Sequence, residues 1–168
     1  MKHVTIYTDA GYCEFNKVGY FGAIIESDDL SILLSSCIFN TSGTQLAELE
    51  GIYNTLYFLK DLINSKDYHI TIVNDNIINL HTLFYVMKNH HYKKSLEHKE
   101  SFVKTIALLR KYKNVTILHK RKGASQHIHM CDLMARFVKK NARISSLKGW
   151  LLEPFTGYQR VKLKTLFN

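Results

Sequence analysis

Val4-Thr5-Ile6-Tyr7-Thr8-Asp9 opens the chain with β-branched and aromatic residues and ends on an acid, which is the composition of a strand. Reading outward, Tyr20-Phe21-Gly22-Ala23-Ile24-Ile25 and Ser31-Ile32-Leu33-Leu34-Ser35-Ser36-Cys37-Ile38-Phe39 are two more strand-like runs. Asp28-Asp29 marks the turn between them, so a three-stranded antiparallel meander is expected. The period then changes. Beyond the polar stretch Asn40-Thr41-Ser42-Gly43-Thr44, the residues Leu46, Leu49, Ile52, Tyr53, Leu56, Leu59 and Ile63 recur at helical spacing. Ile70-Thr71-Ile72-Val73 is a short apolar strand of the kind buried in parallel sheets. A helical region follows, broken by a basic stretch from Lys88 to Lys99. The next helix is expected to carry Phe102, Val103, Ile106 and Leu109 inward. Val115-Thr116-Ile117-Leu118 predicts a fifth strand, and Met130, Leu133, Met134, Phe137 and Val138 predict the apolar face of a last helix. The order β-β-β-α-β-α-α-β-α predicts an α/β fold on a mixed five-stranded sheet.

The 168 residues suit one domain. With a single proline, Pro154, and no repeat or low-complexity linker, residues 1–148 are expected to form that domain. Residues 149–168 are a basic, aromatic extension of unassigned role. No apolar run reaches the roughly 18–20 residues that span a bilayer, and the first residues lack the apolar core of a signal peptide. A cytoplasmic, monomeric protein without membrane contact is expected. Cys13, Cys37 and Cys131 are widely spaced and odd in number, which suits reduced, packed thiols better than a disulfide framework or zinc ribbon. The net charge of +9 predicts attraction to a polyanion, with nucleic acid the common one.

The acids fall in informative places. Asp9 follows the first strand, and Asp75 follows the apolar strand 70–73 at its C-terminal end, where open α/β sheets place their ligands. Either acid could equally cap a helix or turn. On the helix between them, Glu50 shares a face with Asn54, Tyr57 and Asp61 and is expected in solvent. Glu48 lies beside Ile52, Thr55 and Leu59 at the edge of the core-facing stripe. An inward carboxylate with no cation on its own helix needs a metal or a cation from elsewhere. Asp132 repeats the pattern beside Ile128 and Ala135, although Arg136 at i+4 offers it a partner. Four carboxylates from two strand ends and two helices suit hard divalent cations, Mg²⁺ with Mn²⁺ as an alternative. Two such ions about 4 Å apart are suited to phosphodiester hydrolysis.

At these residues the sequence resembles the ribonuclease H family, type one, as a divergent small member. Ile6-Tyr7-Thr8-Asp9-Ala10-Gly11 is similar to the family strand ending in Thr-Asp-Gly-Ser, and Gly22-Ala23 falls at the distance of its first hairpin. Ala47-Glu48-Leu49 resembles its helical Met-Glu-Leu or Ala-Glu-Leu, and Val73-Asn74-Asp75-Asn76 stands where it has Thr-Asp-Ser. Cys131-Asp132-Leu133-Met134-Ala135-Arg136 resembles its closing Asp-x-Leu-Ala-Arg helix. The four islands appear in the family's order over residues 4–140.

The resemblance implies a sheet with helices on both faces. It also implies metal-dependent endonucleolytic hydrolysis of the RNA strand of RNA–DNA hybrids, leaving a 5′-phosphate and a 3′-hydroxyl. Asp9 would bridge both ions, Asp132 would help hold the ion on the attacking-water side, and Glu48 and Asp75 the ion on the leaving-group side. Gln45, Asn16 and Asn76 would contact the hybrid, whose 2′-hydroxyls distinguish RNA from DNA. Lys120, Arg121 and Lys122 lie near the expected site and are candidates for touching substrate.

The sequence departs from the family at Ala10-Gly11, where the family has Gly-Ser, at Asp75 between two asparagines, and in one loop. The place of its mobile histidine before the last aspartate falls on Lys122, with His119 and His127 as substitutes if the loop shifts. The basic stretch with Lys88, His90, His91, Lys93, Lys94, His98 and Lys99 matches the position of a phosphate-gripping handle, or is a solvated loop. His127-x-His129-x-Cys131 has poor geometry for three-way zinc ligation on a helix, because residues two apart point to different faces. Two other functions share these features: a nuclease of the same fold acting on DNA, and a non-catalytic nucleic-acid-binding module. A full set of four acids argues against the module, which gains nothing by holding acids near phosphates.

Overall fold

The computed structural model describes residues 2–28, 31–39, 41–90, 98–147 and 157–160, with 142–147 and 157–160 described as backbone alone. Asp29 of the expected turn, Asn40, the basic residues His91, Lys93 and Lys94, and residues 148–156 and 161–168 lie outside the described residues. The strands are β1 (Lys2–Cys13), β2 (Val18–Glu26), β3 (Ser31–Ile38), β4 (Tyr68–Asn74), β5 (Asn114–His119) and β6 (Gly157–Arg160). The helices are α1 (Thr44–Leu59), α2 (Ile77–Asn89), α3 (Lys99–Leu109) and α4 (Gln126–Leu147).

The sheet order is β5-β4-β1-β2-β3-β6. β1, β2, β3 and β6 pair antiparallel, while β4 lies parallel to both β1 and β5. The expected mixed sheet of five strands is present in the expected order. The sixth strand, Gly157–Arg160, adds to the β3 edge inside a stretch whose sequence carried no strand signal.

Both faces of the sheet are covered, which is why β2 is buried along Val18–Ile25 instead of alternating. Phe21 and Ala23 pack with Ala47 of α1 on one face. Val18 and Tyr20 pack with Ala135 and Val138 of α4 on the other. The main core joins Val4, Ile6, Ile70 and Ile72 of the sheet to Leu49 and Ile52 of α1, Leu83 of α2 and Phe102 and Ile106 of α3. No helix among the described residues is long and apolar enough to cross a membrane.

Three expectations need correction. Val103 is exposed, and Thr105 is buried on α3 instead. On α4 the sheet-facing residues are Ile128, Cys131, Ala135 and Val138, whereas Met130, Leu133 and Phe137 are exposed. Ile128, Cys131, Ala135 and Val138 share one helical face, which packs closely on β2: a Cβ at Gly22 would collide with the Cys131 carbonyl and with Met134. Met130, Leu133 and Phe137 lie on the opposite face. Finally, Asp9 lies within β1, not after it. The parallel ladder to β4 ends at Tyr7↔Val73, but β1 continues against β2 to Cys13↔Val18. Asp9 therefore sits just past the last β1–β4 pair, while β4 continues against β5 to Asn74↔His119.

Candidate metal centre

The divergence of β4 from β1 opens a crevice at the strand ends. Asp9 enters it from β1, Asp75 from the residue after β4, and Glu48 from the second turn of α1. One carboxylate oxygen from each lies within 4.8 Å of the others. Asp9 and Glu48 are each only 4% exposed. Glu48 Oε1 accepts the Ala10 backbone N–H at 3.1 Å, and its Oε2 accepts the Asn74 side-chain amide at 2.9 Å. Among the described residues no lysine or arginine pairs with Glu48.

Asn74 secures this arrangement and was not singled out in the sequence. It is fully buried, and its Nδ2 lies 2.8 Å from the Thr8 carbonyl, 3.0 Å from Thr8 Oγ1 and 2.9 Å from Glu48. Its Oδ1 accepts the Asn76 N–H at 2.8 Å. The amide thus ties the end of β4 to β1 and aims the Glu48 carboxylate. The signal that could have found it is an amide closing an otherwise apolar buried strand, where a polar group must be fully bonded.

Asp75 does not cap α2. That role belongs to Asn76, whose Oδ1 accepts the Asn79 N–H at 3.0 Å. The Asp75 backbone carbonyl is 3.1 Å from His119 Nε2.

Crowding buried acids without a cation makes them hold their protons. Burial, followed by the charge of Asp9, pushes the Glu48 carboxyl well above its ordinary 4.5. Burial, aided by Asp75 and Asp132, raises Asp9 above 3.8 despite a hydrogen bond with Glu48 and the nearby Lys122. Asp9 Oδ2 is buried without a hydrogen-bond partner. An orphaned carboxylate oxygen beside two further carboxylates is an all-oxygen donor set, and a hard divalent cation such as Mg²⁺ or Mn²⁺ fits it.

Asp132 stands outside that close group of three. Arg136 Nε reaches both its oxygens, at 3.0 and 2.9 Å, as the i+4 spacing allows. Lys122 comes from the 3₁₀ turn Lys122–Ala124 ahead of α4. Its Nζ contacts Asp132 Oδ1 and lies 3.5 Å from Asp9 Oδ2. Burial alone would raise Asp132, but Lys122 and Arg136 bring it below its ordinary value.

The remaining candidates lie on several different elements. Gln45 is half-buried in the first turn of α1, its carbonyl accepting Asn79 Nδ2 at 2.8 Å. Asn16 lies in the β1–β2 turn and donates to Tyr20 Oη at 2.8 Å. Lys120 and Arg121 are exposed between β5 and the 3₁₀ turn. His127 stacks on Tyr7 with ring centroids 4.4 Å apart and lies 3.2 Å from Glu26. Cys131 Sγ donates to the Tyr7 carbonyl, and burial pushes its thiol well up, which does not suit a zinc thiolate. Glu50, expected in solvent, is buried against α3, where Ser101 Oγ and Lys104 Nζ bond it at 2.6 and 2.9 Å.

No family model matches the sequence, and no curated protein does. Solved structures do match the fold. The N-terminal RNase H domain of a Mycobacterium tuberculosis protein, solved as a fusion with maltose-binding protein, aligns with a TM-score of 0.68 at 14% identity. That alignment covers 87% of this chain and 99% of that one. RNase H1 from the halophilic archaeon Halobacterium salinarum aligns with a TM-score of 0.65 at 15% identity, covering 83% and 99%. LC11-RNase H1, isolated from compost by a metagenomic approach, was solved in complex with an RNA/DNA hybrid. It aligns with a TM-score of 0.60 at 17% identity, covering 81% and 99%. The chain has the ribonuclease H fold.

Proposed function

We propose that this chain is a metal-dependent endonuclease that hydrolyses the RNA strand of RNA–DNA hybrids, leaving a 5′-phosphate and a 3′-hydroxyl. The observation that carries this reading is the pair of buried acids, Asp9 and Glu48, held beside Asp75 without a paired lysine or arginine on Glu48. A fold stabilises such a cluster poorly by itself, and two Mg²⁺ or Mn²⁺ ions bound by Asp9, Glu48, Asp75 and Asp132 would compensate it. When bound, the ions lower the pKa of water and neutralise charge developing at the scissile phosphate.

The chain's own residues would orient and select. Asn74 holds Glu48 in place through the amide contacts described above. Gln45, Asn16 and the Asn76 amide are suited to the 2′-hydroxyls and base edges of a minor groove. Lys120 and Arg121, both exposed, are suited to phosphate contacts that position without reading sequence. The net charge of +9 would speed association and make binding salt-sensitive.

The test is cleavage of a strand-labelled hybrid by the purified chain in Mg²⁺ or Mn²⁺, beside single-stranded, RNA-duplex and DNA-duplex substrates. Metal-dependent cutting of the hybrid's RNA strand alone is expected. Cutting of DNA would overturn the substrate, and salt-sensitive binding without cutting would point to a non-catalytic module.

A further inference from the structure

Lys122 stands between two of the carboxylates that the proposed function assigns to metal. Its ammonium contacts Asp132 Oδ1 and lies 3.5 Å from the buried, otherwise unbonded Asp9 Oδ2. Arg136 already holds Asp132, so this one carboxylate carries two cations while Glu48 has none among the described residues. The crevice is therefore unequal. Its Asp9–Glu48–Asp75 side offers oxygen alone, and its Asp9–Asp132 side is filled by a positive charge.

We infer that Lys122 is a tethered cation that occupies the second metal position and weakens binding of the second divalent ion. The inference rests on the metal-centre reading above. The ammonium sits on a four-carbon tether from a short turn, and a Cβ added at the neighbouring Gly123 would meet nothing within 4 Å. The Lys122 side chain is 36% exposed, so it can swing away without disturbing the core. A tethered group is present at an effective concentration on the order of millimolar. An ion entering between Asp9 and Asp132 must displace it and give up its charge pairing. The first ion, on the Glu48 side, faces no such competitor. Lys122 thereby moves from substrate contact to gatekeeper of metal stoichiometry.

The test is Mn²⁺ titration of the full chain by calorimetry, with electron paramagnetic resonance to separate isolated ions from spin-coupled pairs. Wild type should bind one ion tightly and a second far more weakly. Lys122→Met should strengthen the second ion about tenfold or more, the scale expected when a unit charge at contact distance is removed. Coupled Mn²⁺ pairs should then appear at concentrations where wild type shows isolated ions. Lys122→Gln should match it if folding of one variant is impaired. Lys120→Met removes the same charge from an exposed neighbour and should leave binding as in wild type. Adding Asp132→Asn to Lys122→Met should erase the gain. Equal binding in Lys122→Met, Lys120→Met and wild type would overturn the inference while leaving the metal centre standing. No Mn²⁺ binding by any of these chains would overturn both.

Discussion

Glu48 and Glu50 lie two residues apart on the same helix and are both buried, yet their surroundings are opposite. Glu50 accepts Ser101 Oγ and Lys104 Nζ from α3, and the same ammonium lies 4.3 Å from the centre of the Tyr53 ring. Its charge is compensated, and it fastens α1 to α3. Glu48 meets a backbone N–H, one amide and a second carboxylate. Burial alone does not mark a functional acid. What separates the two is whether the protein itself supplies the counter-charge.

The sharpest way to break this contrast is to remove charge from the uncompensated side. Asp9→Asn should lower hybrid cleavage by at least about a thousandfold, because metal-derived charge stabilisation is worth several kcal/mol. Circular dichroism should show the fold retained.

Asn74→Ala should be the costliest for stability. It strips partners from Glu48, Thr8 and the Asn76 N–H, a loss of about 2–3 kcal/mol in chemical denaturation. A loss below a few tenths would deny Asn74 its role.

The two glutamates should then respond differently in the metal-free chain. Glu50→Gln weakens a compensated pair and should lower metal-free stability by about 1 kcal/mol. Lys104 is partly exposed and recovers solvent, which limits the effect. Glu48→Gln removes an uncompensated carboxylate but leaves either the Ala10 N–H or the Asn74 amide facing a second donor, so the two effects oppose and metal-free stability should change by less than about 1 kcal/mol. A loss of about 1 kcal/mol corresponds to roughly 2–4 °C in Tm for a chain of this size. A larger loss in Glu48→Gln than in Glu50→Gln would remove the distinction.

The smallest effect is in pH. Glu48 and Asp9 are raised by burial, so their contribution to stability is complete below the ordinary carboxylate values of 4.5 and 3.8. It is lost as pH rises through their elevated native values. Asp132 is lowered by Lys122 and Arg136, so its contribution is present above 3.8 and lost only in stronger acid. The metal-free chain should therefore lose Tm as pH climbs from about 5 toward neutrality. Mn²⁺ should restore more at pH 7 than at pH 5. A Tm that rises over that range without metal would contradict the assignment.

Much of the fold was legible because periodicity reports local structure. The alternation and β-branching of 4–8, the apolar run 70–73 and the helical spacing from Leu46 all correspond to observed elements. What the sequence hid depends on contacts between distant segments. Glu50 reads as solvated on its own helix, and only the arrival of α3 buries it. Met130, Leu133 and Phe137 read as an apolar stripe, and only the docking of the opposite face of α4 on β2 shows that they are exposed. The position of Asp9 within β1 depends on how far β2 continues the ladder. In the site, the placing of Asp9, Glu48 and Asp75 in one crevice was expected. The insertion of Lys122 between Asp9 and Asp132 was not, since a residue on a loop has no periodicity to reveal where its side chain ends.

The most direct test of the central claim sets Glu48→Gln and Glu50→Gln side by side on a strand-labelled RNA–DNA hybrid in Mg²⁺, with rates compared at equal folded fraction. The account predicts that Glu48→Gln lowers cleavage of the RNA strand by about a hundredfold or more, while Glu50→Gln stays within about twofold of wild type. Equal losses in both, or full activity in Glu48→Gln, would contradict it.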